Sequence, residues 1–302
     1  MSKKKIFSLS ANTELPILHF LWRVKVASTS AIFLRFEADF RWKEFTAYKR
    51  LLILRKKGCL DTRSDDSGSF RVWTLTAKGF KAIQPNLLTL KEVGYASESV
   101  GHDLHVLAAH YGEWIPKGAA PDVRFVTEQE LRRIDGVDLP RWARPLQSHK
   151  PDGIWYFPES NAKTLLALEV EISRKRANEY EALGVFYSEE KSISSVLWIV
   201  QSKGHASSMI AAFQATANSY RDIHNFVLLD DLKKSGWASV IALGPNAGSS
   251  IHNFLESARR NQSVTRPSPT HHHGYAEKML NFHLKRFNSS TSSAARNSKF
   301  RA

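Results

Sequence analysis

Three carboxylates in the middle of the chain have the types and spacing for metal-assisted chemistry. Asp152 lies in "HKPDGIWYF" (149–157), and seventeen residues on, Glu169 and Glu171 lie in "LALEVEISRK" (166–175). The apolar run 165–168 leads into the glutamates and predicts a buried strand. Residues two apart on a strand share a face, so the two glutamates point the same way. That pair repels itself unless a cation, a proton or a metal lies between them. Hard divalent cations such as Mg2+ take oxygen ligands, often one or two carboxylates completed by water and substrate phosphate. Mg2+ or Mn2+ held there would polarise a phosphodiester and lower the pKa of an attacking water. The competing expectation is a surface salt-bridge cluster in which Arg174, Lys175 and Arg176 answer the acids, an arrangement that stabilises only weakly.

The neighbouring residues extend the set. Lys175, or Lys150 beside the aspartate, could supply a positive charge. His102, His105 and His110 lie on one predicted helix (99–114), His102 and His105 as neighbours three residues apart; a cap or a satisfied core histidine is the plain expectation for His102 and Asp103. A histidine zinc site would want a further ligand that nothing supplies. Tyr180 and Tyr187 are expected to pack into the core, and the histidines of "THHH" (270–273) to lie in a solvated loop. The phosphate-binding glycine loop, the dinucleotide fingerprint and the serine-nucleophile elbow are all absent from the sequence.

These residues need a scaffold, and the pattern predicts an α/β layered body over 95–256 with a mixed central sheet. Strands are expected at "VRFVT", "HKPDGIWYF", "KTLLALEVEIS", "SSVLWIV", "HNFVLLD" and "WASVIAL", with helices at "EQELRRI", "NEYEALGVFYSEEK" and "SSMIAAFQATANSY". Residues 257–302 read as a polar linker, a short helix at "AEKMLNFHLKRF" and a disordered basic tail.

Ahead of that body, residues 12–90 parse differently. "NTELPILHFLWRV" starts a helix with Asn12 or Thr13 as cap, and "ASTSAIFLRF" a second near Ser28 or Ser30. "DFRWKEFTAYKRLLILRKKG" is expected as one third helix ending at Gly58, with Leu51, Leu52 and Leu54 in the core. "CLDTR" and "FRVWTL" form a hairpin, and a helix restarts at Thr76.

Charge follows the same division. The chain has 302 residues and a net charge of +14; residues 1–90 carry 17 Lys+Arg against 7 Asp+Glu, and residues 91–287 carry 23 against 22. A basic balance confined to one segment points to a polyanion-binding module on a near-neutral body. The single cysteine, Cys59, excludes an internal disulfide framework and is expected in the core. No apolar stretch is long enough to cross a bilayer, and "MSKKK" lacks the apolar region of a signal peptide, so a cytoplasmic protein without a membrane partner is expected.

The order helix, helix, basic helix, hairpin resembles a winged helix-turn-helix domain, and "KRLLILRKKGCLDTR" followed by "RVWTLTAKGFKAI" is similar to the recognition helix, wing and trailing helix of bacterial examples. That resemblance implies DNA as partner, with Arg41, Lys43, Thr46, Lys49 and Arg50 facing it and Arg63 and Arg71 on the wing. A winged helix used for protein contacts is the alternative. "KPDG" with "LEVEISRK" resembles the PD-(D/E)xK motif of restriction-endonuclease-like enzymes. It implies Asp152 and Glu169 as metal ligands, Glu171 at the position usually held by lysine, and His102 and Asp103, on the first helix of such a domain, as accessory residues beside the carboxylates. Taken with "HDL" (102–104) and "EYEALGVFY", the whole order resembles the replication-relaxation family of plasmid and mobile-element proteins. Two functions follow as expectations: a Mg2+- or Mn2+-dependent DNA endonuclease using Asp152, Glu169 and Glu171, or a non-catalytic DNA-binding factor with a degenerate nuclease fold. Replication or mobilisation proteins are the further partners implied, and a homodimer stays open.

Overall fold

Helix α1 (Glu14–Val24) buries Ile17, Leu18, Leu21 and Trp22 along one side. Neither Asn12 nor Thr13 caps it through its side chain; Glu14, in its first turn, accepts Ser10 N–H at 2.7 Å and the Lys57 ammonium at 2.7 Å. This is a computed structural model, and it describes residues 9–64, 68, 71–111, 123–157, 165–216 and 220–263. The expected helix over 276–287, the histidines of 270–273 and the basic tail lie outside the described residues.

After Lys25, left-handed at φ 64°, strand β1 (Val26–Ala27) leads to α2 (Thr29–Phe40). Ser28 Oγ accepts Ala31 N–H at the start of α2, a cap worth about 1 kcal/mol. The expected single helix from Asp39 to Gly58 is broken. Arg41 turns left-handed (φ 51°), Trp42 folds back onto Phe40 with ring centres 4.6 Å apart, and α3 (Glu44–Lys56) begins afresh. Arg41 and Lys43 therefore occupy the turn between two helices. Leu51 and Leu54 are buried with Ala47, but Leu52 faces outward, one helical step past the core stripe. Gly58 takes the expected left-handed form (φ 74°).

Strands β2 (Leu60–Ser64) and β3 (Arg71–Leu75) pair antiparallel, and β1 pairs with the other edge of β3, giving a three-stranded sheet in the order β1-β3-β2. Helix α4 (Ala77–Ile83) starts at Thr76, whose hydroxyl accepts Gly79 N–H. A Cβ at Gly79 would sit 2.1 Å from Cys59 O, so the hairpin and α4 touch backbone to backbone there.

The larger body opens with α5 (Val100–Tyr111), β4 (Arg124–Thr127) and α6 (Glu128–Arg133). Next come β5 (Gly153–Tyr156), β6 (Leu165–Glu171), α7 (Ala177–Glu189), β7 (Ile193–Val200), α8 (Lys203–Thr216) and β8 (His224–Leu228). The five strands form one mixed sheet in chain order: β4, β5 and β6 run antiparallel, and β6, β7 and β8 parallel, joined by α7 and α8. Among the described residues, α9 (Leu229–Ser235) and α10 (Ile251–Ser263) come last. "WASVIAL" is not a strand: residues 236–238 make a tight turn, and Val240 and Leu243 form only single bridges to Ser250 and Phe226. Residues 257–263, expected as the start of a linker, are helical instead, because α10 runs through Ser263.

Strand β6 is buried along its whole length, as a strand covered on both faces must be. Leu165 and Ala167 face the core shared with Tyr187, Trp198, Met209 and Phe213, while Leu166, Leu168 and Val170 face the one holding Leu232, Ile251 and Leu255. The two-residue period carries Glu169 and Glu171 onto the first face, the side of α7.

Side chains tie the two parts of the chain together. Arg23 forks onto Glu130 through Nε (2.9 Å) and Nη2 (3.0 Å), and Trp22 Nε1 donates to Gly94 O at 3.2 Å. Among the described residues, no helix is long and apolar enough to cross a membrane.

Candidate active site

The pairing Gly153↔Leu168 places Asp152 beside Glu169 where the β5–β6 ladder ends. Asp152 is fixed at both its ends. Its carbonyl accepts Glu128 N–H at 3.2 Å and faces His110 Nε2 at 3.5 Å; its carboxylate Oδ2 accepts Val170 N–H at 2.7 Å. Gly153 is required at this turn, since a Cβ there would lie 2.2 Å from the His110 ring.

His110 is a tautomer lock. Its Nδ1 accepts Trp155 Nε1–H at 2.7 Å and its ring stacks on Phe125 at 4.1 Å, so Nε2 carries the proton that points at Asp152 O. Burial pushes its pKa down to about 3.

His102, at the start of α5, does reach the carboxylates. Its Nε2 lies 3.3 Å from Asp152 Oδ2 and 3.2 Å from Val170 O, two acceptors that require Nε2–H. Burial opposes its charge, but hydrogen bonds to Asp103 and Asp152 outweigh it and raise the pKa to about 10. Asp103 bridges to the N-terminal part: Lys25 Nζ sits 2.7 Å from Asp103 Oδ1 and 3.1 Å from Glu128 Oε2. Burial disfavours the Asp103 carboxylate, yet His102 and Lys25 hold its pKa below the ordinary value.

The glutamates are answered separately. Glu169 Oε1 accepts from Tyr187 O–H and lies 2.7 Å from His149 Nε2. Burial, reinforced by the Glu169 charge, keeps the Tyr187 phenol protonated well past its usual range. Glu171 Oε2 pairs with Lys175 Nζ. Burial raises the Glu171 pKa, partly offset by Lys175. The Lys175 pKa rises against its own desolvation because Glu171, Glu169 and Asp152 all act on it. The loop carrying Lys175 is anchored: its N–H donates to Tyr180 Oη at 2.9 Å, and that hydroxyl meets His205 Nε2 at 2.7 Å. Burial with Arg174 and Lys175 nearby lowers the His205 pKa, so the imidazole accepts and Tyr180 donates.

Asp152, Glu169, Glu171, His102, Asp103 and Lys175 thus form one cluster. Lys150, in a left-handed turn (φ 63°), makes no ion pair among the described residues. His149, Tyr187, Tyr180, His205 and Lys25 join the cluster without having been expected. The phenols were expected as packing and they are buried; a buried tyrosine hydroxyl nevertheless needs a partner, which sequence alone does not name.

The donor chemistry suits a hard divalent ion. Asp152 Oδ1, Glu169 Oε2 and Glu171 Oε1 make no hydrogen bond among the described residues, so each acid keeps one oxygen for a ligand. No group of three His, Cys, Asp or Glu side chains is arranged for a metal among the described residues.

The side chains expected to face DNA are distributed over four segments: the α2–α3 turn, α3, β2 and β3. Arg41, Lys43 and Lys49 are exposed on the α2–α3 turn and α3, Thr46 and Arg50 are half-buried on the flank of α3, and Arg71 is exposed at the start of β3. Arg63, on β2, donates to Ser97 O at 3.1 Å. No family model, curated protein or solved structure matches this chain.

Proposed function

We propose that this chain binds DNA through an N-terminal winged helix and hydrolyses phosphodiesters, with Mg2+ or Mn2+, at a restriction-endonuclease-like site made of Asp152, Glu169, Glu171 and Lys175. The observation that carries the reading is the convergence of three carboxylates and one ammonium where β5 starts and β6 ends. The helix–turn–helix–hairpin order and the excess of 17 basic over 7 acidic residues in 1–90 support the DNA partner, since phosphate neutralisation supplies most non-specific affinity.

Asp152 and Glu169 would hold the ion, whose contribution is to polarise the phosphodiester and acidify a bound water. The chain's own residues have distinct tasks. Tyr187 and His149 orient Glu169, and His102 with Val170 N–H orients Asp152. Lys175 Nζ supplies positive charge beside the phosphate, the role of the motif lysine, delivered from four residues past Glu171. On this reading the chain is related to the replication-relaxation family and acts on plasmid or mobile-element DNA.

Supercoiled plasmid incubated with the protein and Mg2+ or Mn2+ should become nicked, and a chelator should stop it. A second reading, binding without cleavage, is favoured by the fact that each carboxylate already faces a protein cation or donor. Salt-dependent binding with no nicking in either metal would select it.

The winged-helix role has its own expected result. Replacing Lys49 and Arg50 together with Ala should lower the slope of log affinity against log salt by about 2. Titrations of one duplex at several salt concentrations measure this, and an unchanged slope would assign the segment to protein contacts.

A further inference from the structure

The outward face of α3 is half apolar. Phe45 is 65% exposed, Tyr48 43%, Ile53 41% and Leu52 40%, interleaved with the exposed Lys49, Arg55 and Lys56. The core side of the same helix is filled by Ala47, Leu51 and Leu54. Four large apolar side chains on one solvent-facing surface mark a contact surface rather than scattered exposure. Charge selects the partner: two copies of α3 laid face to face would oppose their own lysines, whereas a polyanion is matched by them.

Side-chain chemistry then narrows what in DNA this face can meet. Helix α3 contains neither Asn nor Gln, the residues that pair with adenine. Lys49 Nζ lies 4.4 Å over the Phe45 ring, and Arg55 leans toward Asp61 at 3.8 Å. Arg50, the other guanidinium of the helix, is half-buried on its flank. The outer face is therefore poor in forks free to grip guanine and rich in apolar surface. In the major groove the apolar group offered by a base edge is the thymine C5-methyl.

We infer that α3 reads thymine methyl groups, so that the chain prefers A·T-rich duplex DNA, with Phe45 and Leu52 as the specificity-determining contacts. The inference rests on the DNA-binding reading above. Lys49 and Lys56 supply the phosphate attraction that holds this face in the groove, and the Lys49–Phe45 contact keeps the charge beside the ring.

Replacing thymine with uracil in an A·T-rich duplex removes the methyls and leaves the hydrogen-bonding edges and backbone charge in place. Fluorescence anisotropy with the full chain should give about fourfold weaker binding per contacted methyl lost. Phe45→Ala, at an exposed position that the core does not need, should weaken binding to the thymine duplex and narrow the difference between the two duplexes. Equal affinity of the unmodified chain for both duplexes, with salt-dependent binding retained, overturns this inference and leaves the DNA reading standing. A thymine preference left undiminished in both Phe45→Ala and Leu52→Ala overturns the assignment to α3. No binding to any duplex overturns the DNA reading and this inference with it.

Discussion

Asp152→Asn is expected to slow metal-dependent plasmid nicking by at least about 100-fold, because a lost metal ligand removes several kcal/mol of transition-state stabilisation. The substitution is nearly isosteric, and Asn Oδ1 can still accept the Val170 N–H that now binds Asp152 Oδ2 at 2.7 Å. What goes is the charge that faces His102 and the ion. Circular dichroism of the variant checks that the loss is chemical rather than a loss of fold. Lys175→Ala tests the other half of the site. It removes the ammonium on Glu171 while Tyr180 still receives the residue-175 N–H, so the loop stays anchored. Its nicking rate should fall by roughly 10- to 100-fold, the range for supporting groups around a metal. If the cluster were only a salt-bridge knot, the Asp152→Asn and Lys175→Ala variants would differ in stability but nick plasmid at the same rate as the unmodified chain.

The acids were legible in the sequence because strand periodicity is local. An apolar run followed by Glu-Val-Glu fixes which face the glutamates share, and a Pro-Asp-Gly turn upstream fixes where a paired strand begins. Their partners were less legible because they depend on tertiary register. Lys175 was one of three basic residues after the strand, and only the Tyr180–His205 anchor on two different helices decides that it turns back onto Glu171. His149 and Tyr187 meet at Glu169 from a turn and from α7, a conjunction that no spacing rule encodes. The misplaced elements have the same origin. The break between α2 and α3 rests on a left-handed arginine, a conformation that Gly or Asn would have signalled and Arg does not. "WASVIAL" alternates like a strand but runs beside β8 as a loop, its Ala242 N–H bonded to Phe226 O at 2.7 Å and its exit turned at Gly244 (φ 113°). Leu52 has the composition of a core residue and the helical phase of a surface one.

Two buried histidines are expected to make the fold acid-labile well above the usual carboxylate range. His110 Nδ1 accepts Trp155 Nε1–H at 2.7 Å, and His224 Nδ1 accepts Trp198 Nε1–H at 3.0 Å, so neither nitrogen can take a proton without losing an indole partner. Burial places both pKa values at about 3, against 6.5 for an ordinary histidine. The unfolded chain therefore binds two protons that the folded chain refuses between pH 6.5 and 3. Stability is complete above 6.5 and falls as pH drops, by about 1.4 kcal/mol per pH unit for each histidine. By pH 5 the pair should remove roughly 4 kcal/mol, a large share of the 5–15 kcal/mol that holds a typical domain. His102 acts with the opposite sign: its pKa of about 10 gives stability that is full below 6.5 and lost as pH rises toward 10. Urea midpoints should consequently peak near neutrality and fall steeply on the acid side. His224→Gln offers Trp198 a side-chain carbonyl and cannot be protonated, so it should lower the slope between pH 6.5 and 5. A slope unchanged by that substitution would mean that His224 already carries its proton in the folded chain. His110 connects the same titration to the site, because the imidazole that refuses the proton is the one standing behind Asp152 and Gly153. Charging it would release the Trp155 indole and loosen the turn that presents the aspartate, so nicking should decline with acid in step with the fold rather than after it.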